Sequence, residues 1–367
     1  MESLERLNLE DALVSFYRGK SVFITGHTGF KGMWLARILT LLGADVTGYA
    51  LASPTPEGAD IFRAAVEPDI HSCVGDIRDR AALQKAFSEA APDIVLHLAA
   101  QPIVLASYQH PAETYETNVM GTVNLLECVR QSDTVRSFLN VTTDKVYDNQ
   151  EWCWGYRETD ALDGFDPYSN SKSCSELVTH SYRKSFLASV GVSVSTARAG
   201  NVIGGGDFSA DRIIPDCIRA ATAKSPIELR NLASIRPYQH VLEPLMAYLQ
   251  IAMAQAQQSE LAGSYNVGPD ESDCVTTGEL ADLFCKAWGE GATWQSTADA
   301  GRRPHEAGFL RHDCSKLKQT LSWRPRWHID TAVEKTVAWT KAWQQGESAA
   351  NLMDAQIRDF FTQDGRA

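Results

Sequence analysis

A tyrosine and a lysine stand four residues apart at Tyr168 and Lys172, inside a stretch with helical character that runs from Tyr168 to Leu187. This spacing places both side chains on one face of a helix. A nearby ammonium group favours a phenolate, so we expect Lys172 to lower the pKa of Tyr168. Such a tyrosine can take a proton from a hydroxyl while a hydride leaves the same carbon. The pair is common by chance, so its meaning depends on the elements around it.

A second group of reactive side chains, Thr143, Asp144 and Lys145, follows the predicted strand 138–142. Because the helix of Tyr168 comes after this strand, we expect both groups at the same edge of a sheet. A hydroxyl there can hydrogen-bond the oxygen on which Tyr168 acts, and an adjacent acid and amine can serve a second proton transfer. On the local sequence alone, a strand-end turn with a solvated ion pair explains these residues equally well.

The segment Thr25-Gly-His-Thr-Gly-Phe-Lys-Gly32 contains three glycines at intervals of three residues. It follows a predicted apolar strand, Ser21 to Ile24, and precedes a helical stretch, Met33 to Leu42. A strand, a Gly-rich turn and a helix N-terminus in this order present backbone N–H groups to a phosphate. Glycine is needed where φ is positive or where a Cβ would hold the phosphate away. The three-residue spacing differs from the G-x-G-x-x-G fingerprint. A dinucleotide site is predicted here, with an ordinary glycine turn as the alternative.

Strands and helices alternate through the first half of the chain. The predicted strands after the first are 45–50, 70–74, 93–98, 138–142 and 192–197, with helical stretches at 81–90, 112–130 and 168–187. This alternation predicts an α/β fold with a Rossmann-type, doubly wound parallel sheet. From about Ala199 the elements become shorter and mixed. We therefore divide the chain into a dinucleotide-binding domain, 1–198, and a smaller mixed α/β substrate lobe, 199–367, with segments that cross a soft boundary.

Bulk properties narrow the functional class. A net charge of -12 over 367 residues argues against a nucleic-acid or anionic membrane partner, since both favour a basic face. The eight cysteines form no C-x-x-C pair, which favours reduced thiols in a cytoplasmic protein, and no histidine or cysteine spacing suggests a metal site. The acidic N-terminal segment has no signal-peptide core, and no stretch is apolar for long enough to cross a bilayer.

Together these segments resemble the extended short-chain dehydrogenase/reductases that act on sugar nucleotides. The matching segments, which cover nearly the whole chain, are Thr25–Gly32, Leu98–Gln101, Thr142–Lys145, Tyr168–Lys172, Gly200–Asp207, Arg236–Val241 and Pro304–Ala307. The resemblance is to the 4,6-dehydratases of this family, which serve deoxysugar biosynthesis, including that of lipopolysaccharide O-antigen. It implies oxidation of the sugar at C4, loss of water across C5 and C6, and return of the hydride to C6. Tyr168 would take the proton of the 4-hydroxyl.

The residues after Thr143 make the resemblance more specific and also depart from it. In related dTDP-glucose dehydratases the pair is Asp-Glu, in which the aspartate protonates the departing 6-hydroxyl and the glutamate takes the C5 proton. Here the pair is Asp144-Lys145, so Asp144 carries over as the acid. Lys145 is either the base, which requires a lowered pKa, or a cation that stabilises the enolate while another group takes the proton.

The same resemblance assigns binding residues and a cofactor, NAD. The cofactor contacts it implies are Gly26, Thr28, Gly29, Phe30, Gly32, Asp76, Ile77, Leu98, Ala99, Ala100, Tyr168 and Lys172. The end of the second strand, Tyr49 to Ser53, has no arginine for a 2′-phosphate, which favours NAD. It also lacks the usual acidic residue, so this segment does not by itself fix NAD over NADP.

The nucleotide-sugar substrate is assigned to a second set, in which arginines bind the diphosphate as charged, forked donors. These residues are Gln101, Asn201, Arg212 and Arg236. A polar loop with Arg302, Arg303 and His305 is a further, weaker candidate for ligand contact. Leu105 and Phe165 stand where this family would lead us to expect more polar residues, which affects the sugar pocket.

Alternative functions remain at this point. Sugar-nucleotide 4-epimerases share the tyrosine and lysine but lack the acid/base pair, so Asp144 favours a dehydratase. A dehydratase for another nucleotide stays open, because cytosine, uracil and thymine share one small ring. A non-catalytic NAD-binding regulator would be expected to have lost Tyr168 or Lys172. The helices 112–130 and 168–187 resemble those that pair in a four-helix dimer interface, so we expect a homodimer.

Overall fold

Seven parallel strands form the centre of the computed structural model, which describes residues 8–229, 231–297 and 310–362. The strands are β1 (Ser21–Thr25), β2 (Asp45–Ala50), β3 (His71–Val74), β4 (Ile94–His97), β5 (Ser137–Thr143), β6 (Ser193–Ala199), β7 (Asn201–Ile203), β8 (Ile227–Leu229), β9 (Ile235–His240), β10 (Ser264–Val267), β11 (Cys274–Thr276) and β12 (Trp294–Ser296). The order in the large sheet is β10-β6-β5-β4-β1-β2-β3, and each neighbouring pair is parallel. The predicted Rossmann-type α/β class is confirmed.

The chain reverses its direction of winding across this sheet at β1. It runs from β1 through β2 to β3, then returns to the other side of β1 for β4, β5 and β6. Thr25, the last residue of β1, is in register with Tyr49 of β2 and His97 of β4. A crevice opens at such a switch point, beyond the carboxyl ends of the strands. Thr25 therefore marks the place where a ligand is expected.

Helices cover both faces of the sheet, which explains why β4, β5 and β6 are buried along their whole length. The helices are α1 (Leu9–Tyr17), α2 (Phe30–Leu41), α3 (Pro56–Ala65), α4 (Arg80–Ala90), α5 (Val104–Gln109), α6 (Pro111–Tyr115), α7 (Gly121–Arg130), α8 (Pro167–Tyr182), α9 (Ile213–Thr222), α10 (Leu242–Gln257), α11 (Thr277–Trp288), α12 (Ser315–Leu321), α13 (Ile329–Gln344) and α14 (Ala349–Thr362). One apolar core includes α1, α2 and α10, and a second, on the opposite face, includes α4 and α7.

Two predicted helices are interrupted. The stretch 112–130 consists of α6, a π-helical turn at Glu116–Met120 and α7, whereas one continuous helix was predicted. The stretch 168–187 ends as a regular helix at Tyr182 and continues as a π-helical turn, Arg183–Leu187. Amphipathic spacing does not distinguish such turns from a regular helix, because it records only which side of the segment is apolar.

The second half of the chain builds small sheets and a separate apolar core. One sheet has the order β11-β9-β7 and the other joins β12 to β8. The core between them includes side chains of α9, α11 and α13. Helix α11 begins with a capping box, in which Thr276 and Glu279 satisfy each other's backbone N–H groups. Trp323, Trp327 and Trp339 are buried and pack into the apolar core that also includes α2 and α10.

Segments from the second half also return to the large sheet. Strand β10 pairs with β6, and α10 packs against β5 and β6. Such crossing segments were expected, and the division into 1–198 and 199–367 stays a prediction.

All eight cysteines are free thiols. Throughout residues 8–229, 231–297 and 310–362, no helix is long and apolar enough to cross a membrane. The same residues contain no cluster of three or more acidic, histidine or cysteine side chains suited to a metal ion.

Candidate active site

A cavity of about 1120 Å³ lies beyond the carboxyl ends of β5 and β6, against the second half of the chain. Its wall contains seven of the residues singled out from the sequence, which are Thr143, Asp144, Lys145, Tyr168, Asn201, Arg212 and Arg236. Leu105 and Phe165 also line it, so the departures from the family pattern lie at the same cavity. Residues from separate segments of the chain thus meet in one place, as parallel strands ending at a common edge require.

The first turn of α8 holds Tyr168 at this wall. Asp166 caps the helix, because its carboxylate accepts hydrogen bonds from the backbone N–H of Ser169 at 2.9 Å and from its hydroxyl at 2.6 Å. Pro167 occupies the first helical position, where its fixed φ is favourable. The cap and the proline together determine where Tyr168 enters the cavity.

Lys172 lies one helical turn beyond Tyr168 and is only 4% exposed. Its amino group donates a 3.1 Å hydrogen bond to the backbone carbonyl of Val141 in β5. Burial lowers the pKa of Lys172 to about 8, against the raising effect of the Glu176 carboxylate. The lysine is therefore tied to the strand that leads into Thr143.

The expectation that Lys172 lowers the pKa of Tyr168 is wrong for this structure. Burial raises the pKa of Tyr168 to about 12, and the negative charge of Asp144 adds to that effect. A hydrogen bond with Thr143 and the positive charge of Arg212 oppose it without reversing it. Sequence spacing placed the two side chains on one face correctly, but it carries no information on desolvation.

Asp144 is fully buried and ionised. The hydroxyl of Thr143 donates a 2.8 Å hydrogen bond to its Oδ1, and the amino group of Lys145 lies 3.5 Å from the same oxygen. Burial acts to raise the pKa of Asp144, but it is outweighed by surrounding donors and positive charges, which come from Lys145, His312, Thr143 and Arg236. The net result is a pKa below the usual value.

The glycine loop is locked against the end of β4. Gly26 has a φ of +81°, and a Cβ at this residue would lie 2.8 Å from the backbone nitrogen of Ala99. A Cβ on Gly32 would lie 2.0 Å from the carbonyl oxygen of Gly26. The hydroxyl of Thr25 accepts hydrogen bonds from the backbone N–H groups of Leu98 and Ala99, each at 3.1 Å. Only glycine fits at these two positions.

The N-terminus of α2 is suited to a dinucleotide diphosphate. The helix begins at Phe30 with Gly29 as its N-cap, and among the described residues no side chain caps its first N–H groups. Such groups carry the positive end of the helix dipole and bind anions. Thr28 donates a 2.7 Å hydrogen bond to the carbonyl of Leu51, which joins the loop to the segment after β2. These residues fit the diphosphate of NAD.

Asp76 and Ile77 follow β3 at the same edge of the sheet. Arg78 binds both carboxylate oxygens of Asp76, with its Nη2 2.6 Å from Oδ2. This hydrogen bonding lowers the pKa of Asp76 and outweighs its partial burial. Ile77 is buried, and its carbonyl accepts a hydrogen bond from Asn124. Asp76 is thus an ionised side chain in a fixed position at the edge predicted for the cofactor.

Gln101 is not brought to the cavity wall. Its amide nitrogen donates to the hydroxyl of Thr114 at 3.0 Å, and its amide oxygen accepts from the backbone N–H of Ile103 at 2.7 Å. Both ends of the side chain therefore shape the loop after β4. The preceding residues, Leu98 to Ala100, are half-buried.

The candidate diphosphate residues lie on adjacent elements of the second half. Asn201 starts β7, which pairs with β9, the strand that carries the buried Arg236. Arg212 precedes α9 and lies 3.2 Å from the carboxylate of Asp207. Two guanidinium groups at one cavity can form charge-assisted bonds with a diphosphate. Arg302, Arg303 and His305 lie outside the described residues.

Lys31 at the cavity wall was not among the predicted site residues. It is the second residue of α2, and its amino group makes no hydrogen bond or ion pair to the residues that the structure describes. Burial and the positive charges of Arg212, Lys172 and Lys145 lower its pKa to about 7, against the opposing effect of Asp144. Lys31 lies within the quoted segment Thr25–Gly32, but its charge environment could not be predicted, because the cations around it come from distant parts of the chain.

Comparison with known proteins shows the family to which the chain belongs. The family model described as GDP-mannose 4,6 dehydratase matches residues 23–336. The chain belongs to this family. The CDP-glucose 4,6-dehydratase of Salmonella typhimurium is 45% identical over 355 residues, which are 95% of this chain and 98% of the relative. The protein is therefore a member of the nucleotide-sugar dehydratases, as its motifs predicted.

Solved structures of this fold include both dehydratases and epimerases. The dTDP-glucose 4,6-dehydratase of Bacillus anthracis in complex with NAD superposes with a TM-score of 0.73 at 19% identity, covering 90% of this chain and 99% of that one. The UDP-glucose 4-epimerase of Thermus thermophilus, also an NAD complex, gives 0.73 at 26% identity, covering 86% and 97%. Because both activities occur on one fold, the fold does not choose between them.

Proposed function

We propose that the protein is a CDP-glucose 4,6-dehydratase that uses NAD to form CDP-4-keto-6-deoxy-D-glucose, a precursor in deoxysugar biosynthesis. The observation that carries the proposal is the 45% identity to the Salmonella enzyme over nearly the full length of both chains. It is supported by Asp144 and Lys145 at the wall of the same cavity as Tyr168, because the acid at this position distinguishes dehydratases from epimerases.

Tyr168 takes the proton of the sugar 4-hydroxyl in this proposal. Bound at the glycine loop, NAD⁺ would accept the C4 hydride and later return it to C6. The hydroxyl of Thr143 lies beside that of Tyr168, so it can hydrogen-bond the same sugar oxygen once its proton turns away from Asp144. Lys172 holds this part of the site in place through Val141. A phenol with a pKa of about 12 needs positive charge nearby before it can act as a base, and the nicotinamide cation would supply it.

Asp144 protonates the departing 6-hydroxyl, and Lys145 acts at C5. Asp144 is ionised before the reaction, so it must gain a proton before water leaves. Lys145 lies 3.5 Å from that carboxylate, an environment that suits a cation. This favours stabilisation of the enolate by Lys145, with base catalysis by Lys145 as the alternative to be tested. The 4-ketone formed first is what makes the C5 proton acidic.

Substrate and cofactor approach from opposite sides in this proposal. Asn201, Arg212 and Arg236 bind the nucleotide diphosphate from the second half of the chain. The loop from Gly26 to Gly32 and the segment around Asp76 bind NAD, whose diphosphate faces the N-terminus of α2. The segment Tyr49 to Ser53 at the end of β2 contains no arginine for a 2′-phosphate, which favours NAD over NADP.

A substrate panel tests the proposal. Purified protein with NAD is incubated separately with CDP-glucose, UDP-glucose, dTDP-glucose and GDP-mannose, and products are identified by mass spectrometry and NMR. We expect a 4-keto-6-deoxy product from CDP-glucose at a higher kcat/KM than from the others. A 4-epimer without loss of water would identify an epimerase. NAD binding without turnover of any sugar would identify a non-catalytic regulator.

A further inference from the structure

A histidine lies behind Asp144, on the side away from the substrate cavity. His312 belongs to a short extended segment that runs beside Tyr156, whose backbone bonds the N–H of Asp313 at 2.9 Å and the carbonyl of Arg311 at 3.0 Å. Its ring lies edge-on to the ring of Tyr147, with centroids 6.1 Å apart. Since Tyr147 follows Asp144 by three residues, these contacts fix His312 beside the catalytic segment.

The side chains of Asp144 and His312 are close enough to interact electrostatically, and both carry buried polar atoms that lack a partner among the described residues. Oδ2 of Asp144 and both ring nitrogens of His312 have no hydrogen-bond partner among the described residues. The backbone carbonyl of Asp144 is directed at the ring and favours its protonated form, and the charged side chains around the ring are those of Asp144, Lys145 and Arg198. Buried polar groups left unpaired are costly and are commonly joined through an ordered water. A water between Oδ2 and the ring would satisfy both groups.

A second cavity, of about 460 Å³, lies on the far side of His312. His312 lines this rear cavity, whereas Asp144 lines the substrate cavity. The rear cavity is also bordered by Glu271 and Trp154, both of which are exposed, so it communicates with the surface. The imidazole thus stands between the solvent and the carboxylate.

The ionisation state of His312 suits transfer of a proton. Burial lowers its pKa to about 4, and this outweighs the attraction of the Asp144 carboxylate. The ring is therefore neutral at pH 7, with one nitrogen that donates and one that accepts.

We propose that His312 relays protons from the rear cavity to Asp144 while substrate fills the front cavity. The inference rests on the proposed function, in which Asp144 must receive a proton in every turnover. Water in the rear cavity gives a proton to one ring nitrogen, and the other nitrogen passes its own proton through a bridging water to Oδ2. Asp144 then gives that proton to the departing 6-hydroxyl, which leaves as water.

The proton balance over one turnover is closed. Tyr168 gains the proton of the 4-hydroxyl and releases it to solvent when the site opens, and the proton that enters through His312 replaces the one used by Asp144. The C5 proton returns to C5 when the hydride returns to C6. The transfer leaves His312 as its other neutral tautomer. After product release the nitrogen facing Asp144 takes a proton from water in the substrate cavity and the rear nitrogen returns one to the rear cavity, so no proton is consumed overall. His312 acts through Asp144 and does not touch the substrate.

The test compares two substrates in His312→Leu, which keeps an apolar contact with Tyr147 but cannot carry a proton. With CDP-glucose, we expect the reduced cofactor to accumulate in a single turnover, because elimination slows by roughly tenfold or more. With CDP-xylose, which has no C6 hydroxyl and needs no acid, we expect unchanged formation of reduced cofactor. His312→Ala should regain elimination when imidazole is added, since the rear cavity admits a molecule of that size.

The outcomes distinguish the relay from a structural role and from failure of the proposed function. Native-rate elimination in His312→Leu would overturn the relay. Equal slowing with CDP-xylose, or the absence of rescue by imidazole at every pH, would reduce His312 to packing and also overturn it. The wild-type protein is assayed first, and a wild type that forms no 4-keto-6-deoxy product rejects the proposed function itself.

Discussion

The hydroxyl of Thr143 donates a 2.8 Å hydrogen bond to Oδ1 of Asp144 and is also hydrogen-bonded to the hydroxyl of Tyr168. One small side chain therefore connects the two groups proposed to exchange protons with the sugar. The hydroxyl has one proton, so Asp144 and Tyr168 compete for it, and it lowers the pKa only of the group to which it is donated.

Replacing Thr143 tests that link. Thr143→Val keeps the shape of the side chain and removes its hydroxyl, so we expect kcat to fall by roughly 10²-fold and the apparent pKa of the acid limb to rise. Thr143→Ser retains the hydroxyl and should stay within about tenfold of the native rate. The measurement is kcat for CDP-glucose from pH 5 to 9. A native rate in Thr143→Val would contradict a role for the hydroxyl, and a loss confined to Thr143→Ser would show that the methyl group matters instead.

Lys145→Ala separates the two chemical stages. Oxidation at C4 depends on Tyr168, so it should proceed, whereas elimination should slow because the enolate loses its positive neighbour. The expected signature is reduced cofactor that persists after CDP-glucose is mixed with the enzyme, followed by stopped-flow absorbance. Full turnover at the native rate in this variant would contradict the assignment.

Lys145→Arg distinguishes a base from an electrostatic stabiliser. Arginine keeps the positive charge and cannot be deprotonated under these conditions. If Lys145 stabilises the enolate, as the 3.5 Å contact with Asp144 favours, Lys145→Arg should eliminate water at least about tenfold faster than Lys145→Ala. If Lys145 is the base, the two variants should be equally slow. The rate of elimination in a single turnover is the quantity to compare.

The sequence allowed the framework of the site to be predicted because parallel strands end at a common edge. The alternation of elements placed Thr143 and Asp144 at the end of β5, and helical spacing placed Tyr168 with Lys172. These features depend on local patterns, which the sequence contains in full. Gln101 shows the opposite case, because its loop turns the amide toward Thr114 and that contact depends on tertiary packing.

The charge states of the site residues and their contacts with distant parts of the chain could not be predicted from the sequence. Both depend on tertiary packing. The pKa of Tyr168 depends on burial, and Lys31 is perturbed by three cations that lie far from it in the chain. His312 joins the site from more than 160 residues beyond Asp144, with no motif around it. The return of β10 to the large sheet is likewise a pairing between distant segments, which local periodicity does not encode.

Lys31 should react with amine reagents at unusually low pH. Its pKa of about 7 means that the reactive neutral form disappears as pH falls through 7, rather than through the ordinary range near 10.5. Competitive labelling followed by peptide mass spectrometry should give a midpoint near pH 7. Arg212→Gln removes the strongest neighbouring charge and should move the midpoint upward, while Asp144→Asn should move it downward. A midpoint above pH 9 in the native protein would refute the assignment.

The predicted homodimer has a specific surface to test. Leu177 on α8 is 55% exposed, and Met120 and Phe186 on the neighbouring π-helical turns are 51% and 45% exposed. Burial of such side chains against a second copy would remove apolar surface from water. We expect sedimentation at micromolar concentration to show a dimer, and Leu177→Asp with Phe186→Asp to shift it to monomer. Leu41→Asp, at an exposed apolar residue of α2, is the matched control and should remain dimeric. A monomeric native protein would refute the prediction.

Glu243 should make the stability of the fold depend on pH. Its Oε1 accepts hydrogen bonds from the backbone N–H groups of Arg326 and Trp327, at 2.8 and 2.7 Å, and the side chain is almost fully buried. Burial outweighs these bonds and raises the pKa of Glu243 from 4.5 to about 7. Between pH 4.5 and pH 7, Glu243 therefore keeps its proton in the folded protein, whereas it has lost it in the unfolded chain.

The stabilisation linked to that proton is complete below pH 4.5 and is lost as pH rises through 7. The shift corresponds to about 3 kcal/mol, of which about 2 to 3 kcal/mol falls between pH 5 and pH 8. Glu243→Gln cannot titrate, so the native protein should lose this much free energy of unfolding relative to the variant over that interval. Urea unfolding of both proteins at each pH measures the difference. A difference between them that does not change with pH would show that Glu243 is ionised throughout in the folded protein.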